Sequence, residues 1–217
     1  MQSTFSRNAP HTLALPYTQW LLAGMLFTPE VERAALLGLG GVSLATFLSR
    51  NGIQVTAIEA DPLVIEAAQQ FFLLPAQNLS IQRCDAREYL TQPEAQGTDL
   101  VLLDLFTHGG LPHWLSYVSF HDACASILTP GGIACINLAT EPAEASDEVL
   151  DAIRSSYGNE ALAIAVPHHA NFIAFAVNGP HPDSSERLKP RADALEQRLG
   201  LPFPQMLKAI FAAHGNR

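Results

Sequence analysis

Strand-length apolar runs alternate with helix-length segments along most of this chain, and that alternation narrows the fold more than any other feature. The runs are Ala34 to Leu39, Val55 to Glu59, Leu79 to Gln82, Leu100 to Asp104 and Ile133 to Leu138; between them lie Ser43 to Arg50, Pro62 to Phe72, Trp114 to Leu128 and Ala143 to Tyr157. Strands that read as continuous apolar runs are buried on both faces, and intervening helices return the chain to the same end of a sheet. The pattern therefore predicts an α/β fold with a parallel sheet covered on both sides. Asp61-Pro62 has the order of a helix cap and first turn, and Pro130-Gly131-Gly132 marks a turn before the fifth run. After Tyr157 two further runs, Ala161 to Val166 and Phe172 to Val177, are separated only by Pro167-His168-His169-Ala170-Asn171. That gap is too short for a helical crossover, so it predicts a hairpin adding an antiparallel strand at one edge.

Two pieces fall outside this core. Residues 1–30 hold a short helical candidate from Tyr17 to Leu26, and residues 179–217 are a linker and a helical tail, Ser185 to His214, read as packing or a small lid. The body, residues 31–178, is long enough for one core, and no internal repeat divides it. No apolar stretch approaches the ~20 residues that span a bilayer. The segment Met1 to Arg7 has neither the basic flank nor the cleavage site of a secretory signal, so a cytoplasmic protein is expected. A formal charge of −9 without any basic run argues against nucleic acid as a partner. Cys84, Cys124 and Cys135 are odd in number, lack CxxC spacing and sit in or beside apolar runs, as buried reduced thiols do.

The ends of the runs carry the chemistry. The first leads into Gly38-Leu39-Gly40-Gly41-Val42-Ser43 and then a helix, which brings bare backbone and a helix N-terminus to a ligand. The second ends in Glu59, about twenty residues on, where an acid can accept both ribose hydroxyls of a nucleotide. The third ends at Asp85 and the fourth at Asp104, so successive strands deliver carboxylates to one edge, where open α/β sheets bind ligands. Asp85 and Asp61 could instead be helix caps. A nicotinamide dehydrogenase would explain the glycine turn and Glu59 but leaves Asp85 and Asp104 without a task, and no GxSxG elbow suggests a serine hydrolase.

From Tyr17 to Val177 the chain resembles the spermidine synthases and spermidine synthase-like proteins (polyamine aminopropyltransferases) of the S-adenosylmethionine-dependent methyltransferase superfamily. The resemblance rests on Leu26-Phe27-Thr28-Pro29, the Gly38–Gly41 turn, Ile58-Glu59-Ala60-Asp61-Pro62 and Cys84-Asp85-Ala86-Arg87-Glu88-Tyr89-Leu90, then on Leu103-Asp104-Leu105-Phe106, Gly109-Gly110-Leu111-Pro112 and Leu128-Thr129-Pro130-Gly131-Gly132. It implies a Rossmann-like, mostly parallel seven-stranded sheet with an antiparallel edge hairpin, and a cytoplasmic transferase of polyamine biosynthesis that could assemble as a homodimer. Its donor would be S-adenosylmethionine or the decarboxylated form, without a metal, and its acceptor a small amine. Carried over by position, Gly38, Gly40 and Ala86 border the donor, Glu59 holds its ribose, Asp85 receives the adenine amino group, and Asp104 is the catalytic carboxylate.

The substrate half departs from the family. Gly41 stands where the family has an acid for the donor amine, and Thr107, followed by His108, where it has a second acid for the diamine. The family's Tyr-His-Glu element reads Tyr17-Thr18-Gln19, and the residues before Tyr17 are too few for its N-terminal β-domain. Tyr17, Gln19, Thr107 and His108 are thus the substrate-side candidates. A neutral Gly41 would tolerate the carboxylate of intact S-adenosylmethionine, which makes a small-molecule methyltransferase the first alternative and a non-catalytic nucleoside-binding protein the second. His108, His113 and His121 fit no compact metal site, and His168-His169 are expected in an exposed turn.

Overall fold

The computed structural model describes residues 12–40, 42–71, 77–106, 110–139, 143–158, 161–180 and 184–214. In chain order its elements are α1 (Pro16–Leu21), continued by a 3₁₀ turn over Leu22–Leu26, then β1 (Arg33–Leu37), α2 (Ser43–Arg50), β2 (Gln54–Glu59), α3 (Pro62–Phe71), β3 (Leu79–Arg83), α4 (Ala86–Tyr89) and β4 (Thr98–Leu103). There follow α5 (Val118–Ile127), β5 (Leu128–Ala139), α6 (Ala143–Tyr157), β6 (Leu162–Ala165), β7 (Asn171–Val177), α7 (Ser185–Leu199) and α8 (Phe203–His214).

The strands form one seven-stranded sheet in the order β3-β2-β1-β4-β5-β7-β6, with β1 to β5 mutually parallel and β7 antiparallel to both neighbours. The hairpin closes the expected edge, with its second strand inside and β6 outermost. Because the chain steps outward from β1 to β3 and then returns to lay β4 on the other side of β1, the ends of β1 and β4 flank the switch point where such sheets open a crevice.

Side-chain alternation divides the interior in two. Ala34 and Leu36 of β1, Leu100 and Leu102 of β4, and Ile133 and Cys135 of β5 face a cluster shared with α1, the 3₁₀ turn, α2, α7 and α8. Ala35, Leu37, Val101, Leu103, Ala134, Ile136 and Leu138 face a second cluster with α4, α5 and α6. Central strands with both faces covered are apolar at most positions, which is why these runs lack the polar alternation of a half-exposed strand.

The boundaries around α5 and β5 differ from expectation. The helix expected from Trp114 to Leu128 is a 3₁₀ turn over His113–Ser116 followed by α5, because Tyr117 between them is extended (φ −87°, ψ 123°). Leu128 already belongs to β5, and Pro130-Gly131-Gly132 is an irregularity inside that strand: Thr98 pairs with Leu128 but Leu100 with Ile133. Gly131 (φ +80°) takes the backbone angle the irregularity needs.

The tail reverses at Gly200, left-handed at φ +69°, and packs α8 on β6 and on the 3₁₀ turn. Arg191 of α7 donates to the carbonyls of Met25 (2.7 Å) and Pro29, tying the tail to the N-terminal segment. Gly24 lets that segment lie on the sheet, since a Cβ there would come within 2.1 Å of Cys135 Sγ. No helix among the described residues is long and apolar enough to cross a membrane.

Candidate active site at the carboxyl edge of the sheet

The turn after β1 holds positive φ at Gly38 (95°), Gly40 (49°) and Val42 (57°). At Gly38 the requirement is also steric: a Cβ would lie 2.4 Å from the carbonyl oxygen of Asp104, so only glycine lets β1 run this close to the end of β4. At Gly40 a Cβ would meet nothing within 4 Å among the described residues, which leave space open above the turn. Gly41 lies outside the described residues.

Glu59 ends β2 and reaches back over this turn. Its Oε2 accepts from the Leu39 amide at 3.2 Å and its Oε1 from the Asp61 amide at 2.9 Å. A carboxylate accepts about four hydrogen bonds, so a vicinal diol could still be taken on the free lone pairs. With the open space at Gly40, these groups suit the ribose of an adenosine-type donor.

Asp85 caps α4, and among the described residues the hydrogen-bond partners of its carboxylate belong to Arg87: the amide at 2.8 Å and Nε at 2.9 Å on Oδ1, and Nη2 at 2.8 Å on Oδ2. The Arg87 side chain holds the Asp85 carboxyl below the ordinary aspartate range and lies 5.0 Å from the Trp114 ring centroid. Ala86 is buried against the second cluster. Asp85 therefore shares the sheet edge with Glu59 and Asp104 without being hydrogen-bonded to either.

Asp104 is built differently. Its amide donates to the Leu37 carbonyl (3.0 Å), which fixes the carboxylate beside the β1 turn. Oδ2 accepts from the Tyr17 hydroxyl at 3.1 Å and Oδ1 from Asn137 Nδ2 at 2.8 Å, while Asn137 Oδ1 accepts from Asn171 Nδ2 at 3.0 Å. Burial pushes the Asp104 carboxyl above its ordinary value, and the bonds from Asn137 and Tyr17 oppose that rise. Burial, then the Asp104 charge, pushes the Tyr17 phenol far up, so it remains a protonated donor. Tyr17 reaches Asp104 because α1 packs across β5 and β7.

Of the other substrate-side candidates, Gln19 turns its amide to the Leu13 carbonyl (2.7 Å) and supports the N-terminal segment. Thr107 and His108 lie outside the described residues. His121 is buried with Nε2 2.7 Å from the Leu115 carbonyl oxygen, and His113 pairs with the Tyr117 hydroxyl at 3.1 Å, so both have structural partners. His168 and His169 are exposed in the β6–β7 turn. Among the described residues no group of three or more His, Cys, Asp or Glu could hold a metal ion. Asn137 and Asn171 were not anticipated from the sequence, although a lone amide inside the apolar run Ile133 to Leu138 was the available signal, since a buried polar side chain requires a partner.

No protein-family model matches the chain. The polyamine aminopropyltransferase of Neisseria meningitidis is 27% identical over 222 residues, covering 100% of this chain and 84% of the relative. Among solved structures, human methyltransferase-like protein 13 in complex with SAH superposes with a TM-score of 0.77 at 22% identity, covering 86% of this chain and 93% of that one. A probable spermidine synthase from Corynebacterium glutamicum gives 0.71 at 21% identity, covering 96% and 81%. By sequence the chain is similar along its whole length to a polyamine aminopropyltransferase, and it is built on the Rossmann-like fold seen in both the methyltransferase and the probable spermidine synthase.

Proposed function

We propose that this protein transfers an aminopropyl group from decarboxylated S-adenosylmethionine to a small amine, with Asp104 as the base. The observation that carries this reading is the Asp104 carboxylate held between Tyr17 and Asn137 at the mouth of the β1 turn. Glu59 would hold the donor's ribose, Asp85 its adenine amino group, and the backbone at Gly38, Gly40 and Ala86 would border it. Bound there, the donor supplies a carbon activated by its sulfonium. The acceptor nitrogen forms a bond to that carbon, and the carbon–sulfur bond breaks with its electron pair going to sulfur, leaving methylthioadenosine. The proton released by the new ammonium passes to Asp104. A carboxylate whose affinity for protons is raised by burial suits this step better than an exposed one, and fixing it at two oxygens orients it toward the amine.

Intact S-adenosylmethionine as donor, and hence methyl transfer, is the second reading, favoured by the superposition on a methyltransferase. Calorimetric titration with the decarboxylated donor, the intact donor, methylthioadenosine and NAD, repeated with Glu59→Ala and Asp85→Ala, separates the two. Tighter binding of the decarboxylated donor, and a product heavier by one aminopropyl group when putrescine is added, is the expected result. Preference for the intact donor would transfer the assignment to methyl transfer. Binding of none by folded protein would overturn both.

A further inference from the structure

Asn137 lies near the carboxyl end of β5 and is only 2% exposed. Asn171 opens β7, the antiparallel neighbour of β5. The two side chains run in series behind Asp104: Asn171 Nδ2 to Asn137 Oδ1 at 3.0 Å, and Asn137 Nδ2 to Asp104 Oδ1 at 2.8 Å. An asparagine amide is nearly symmetric in shape but has donors on one side and an acceptor on the other. Turned by half a revolution, Asn137 would present oxygen to Asp104, a contact that requires a proton on the carboxyl group. Turning Asn137 alone would set its donor against the donor on Asn171, so the two amides turn only together.

We propose that Asn171 and Asn137 are positioning residues for the base: by donating to Asn137, Asn171 turns that amide so that a donor faces Asp104, and this contact favours the carboxylate over the protonated acid. A phenol hydroxyl, by its chemistry, can donate to a carboxylate or accept from a carboxylic acid. Asn137 in its present orientation can only donate. Tyr17 is the titratable side chain bonded to Asp104 among the described residues; His108 and Glu141, in the segments after β4 and β5, lie outside them. The inference rests on Asp104 being the base of the proposed transfer.

The test uses Asn171, so that the buried Asn137 is left intact. Titration of the aspartate carboxyl carbons by ¹³C NMR in the protein without substrate, with Asp104→Asn assigning the resonance, reads the acid directly. In Asn171→Asp a new acceptor attracts Asn137 Nδ2, turns the amide and adds charge, and the Asp104 midpoint should rise by more than about one pH unit. Asn171→Ala removes the donor alone and should move it the same way by less; Asn171→Gln keeps a donor and should stay near wild type. The acid limb of kcat/KM should follow the NMR midpoints, with kcat falling more than KM rises.

An unmoved Asp104 midpoint in folded Asn171→Asp would overturn the proposal. Should that variant not fold, equal midpoints in the Ala and Gln variants would overturn it. Because the NMR readout needs no donor or acceptor, a midpoint that moves in a protein showing no aminopropyl transfer supports the amide relay and counts against the proposed activity alone.

Discussion

The two halves of the carboxyl edge hold their acids by different means. On the β1–β3 side, Glu59 and Asp85 are braced mostly by backbone and side-chain groups two residues away, with the Leu39 amide 20 residues off as the most distant. On the β4–β5–β7 side, Asp104 is held by Tyr17, 87 residues away, and by Asn137, 33 residues away, itself braced by Asn171 across 34. The first arrangement forms whenever its strand and turn form and leaves its acids partly exposed. The second exists only once α1, β4, β5 and β7 have docked, and it encloses a carboxylate that burial penalises. The proposed binding and catalytic acids are thus supported separately, and substitutions should fall into two classes.

The largest effect should come from Asp104→Asn. Loss of a positioned base is expected to slow transfer by about 10²–10⁴-fold, while affinity for methylthioadenosine stays within a few-fold. The same change should raise the thermal midpoint. The folded Asp104 midpoint lies above the unfolded one, so the native state loses stability as pH rises through that window, and a neutral amide at the same place escapes the loss. A variant that is inactive and also less stable at neutral pH would undo the contrast between the halves.

Gly38→Ala comes next. It combines a 2.4 Å clash on the Asp104 carbonyl with a left-handed backbone, and should cost about 2–4 kcal/mol in urea denaturation. Unlike other changes in the nucleoside half it should also impair Asp104, because the two are in contact. Glu59→Gln should weaken methylthioadenosine binding by about 10- to 100-fold, through loss of one charged acceptor and orphaning of one amide donor; calorimetry checks this, and a change in the pH dependence of kcat would count against the division. The smallest effect belongs to Arg87→Ala. An ion pair this exposed contributes little, so the thermal midpoint should barely move, while Asp85, freed from the two side-chain hydrogen bonds but keeping the one from the backbone amide of residue 87, should titrate nearer the ordinary aspartate range and bind nucleoside no more weakly.

The same contrast explains what could be read in the sequence. Strand-length runs ending in Gly38, Glu59, Asp85 and Asp104 report their places because periodicity and spacing are local quantities, and Ser43–Arg50 and Ala143–Tyr157 emerge with the expected bounds for the same reason. Tyr17 was reached through family resemblance, and its bond to Asp104 depends on how α1 lies across the sheet. Asn171 sits at the end of a turn rich in polar residues, where nothing local separates a solvated amide from one that reaches into β5. The boundary at Leu128 was misplaced because a strand irregularity built on Pro130-Gly131-Gly132 has the same local composition as a turn.

Gly24 carries one more consequence. Its missing side chain determines how closely the N-terminal segment can sit on Cys135, and therefore how far above Asp104 the phenol seven positions earlier is carried. It works as a shim: added thickness of a single methyl group would lift the whole segment and lengthen a contact on the far side of it. A survey of variants scored by turnover would group Gly24 with Tyr17 and Asp104 though it is bonded to neither, and anyone transplanting the β1–β4 part of this fold into another protein would have to bring residues 12–30 along to keep the Tyr17–Asp104 contact in register.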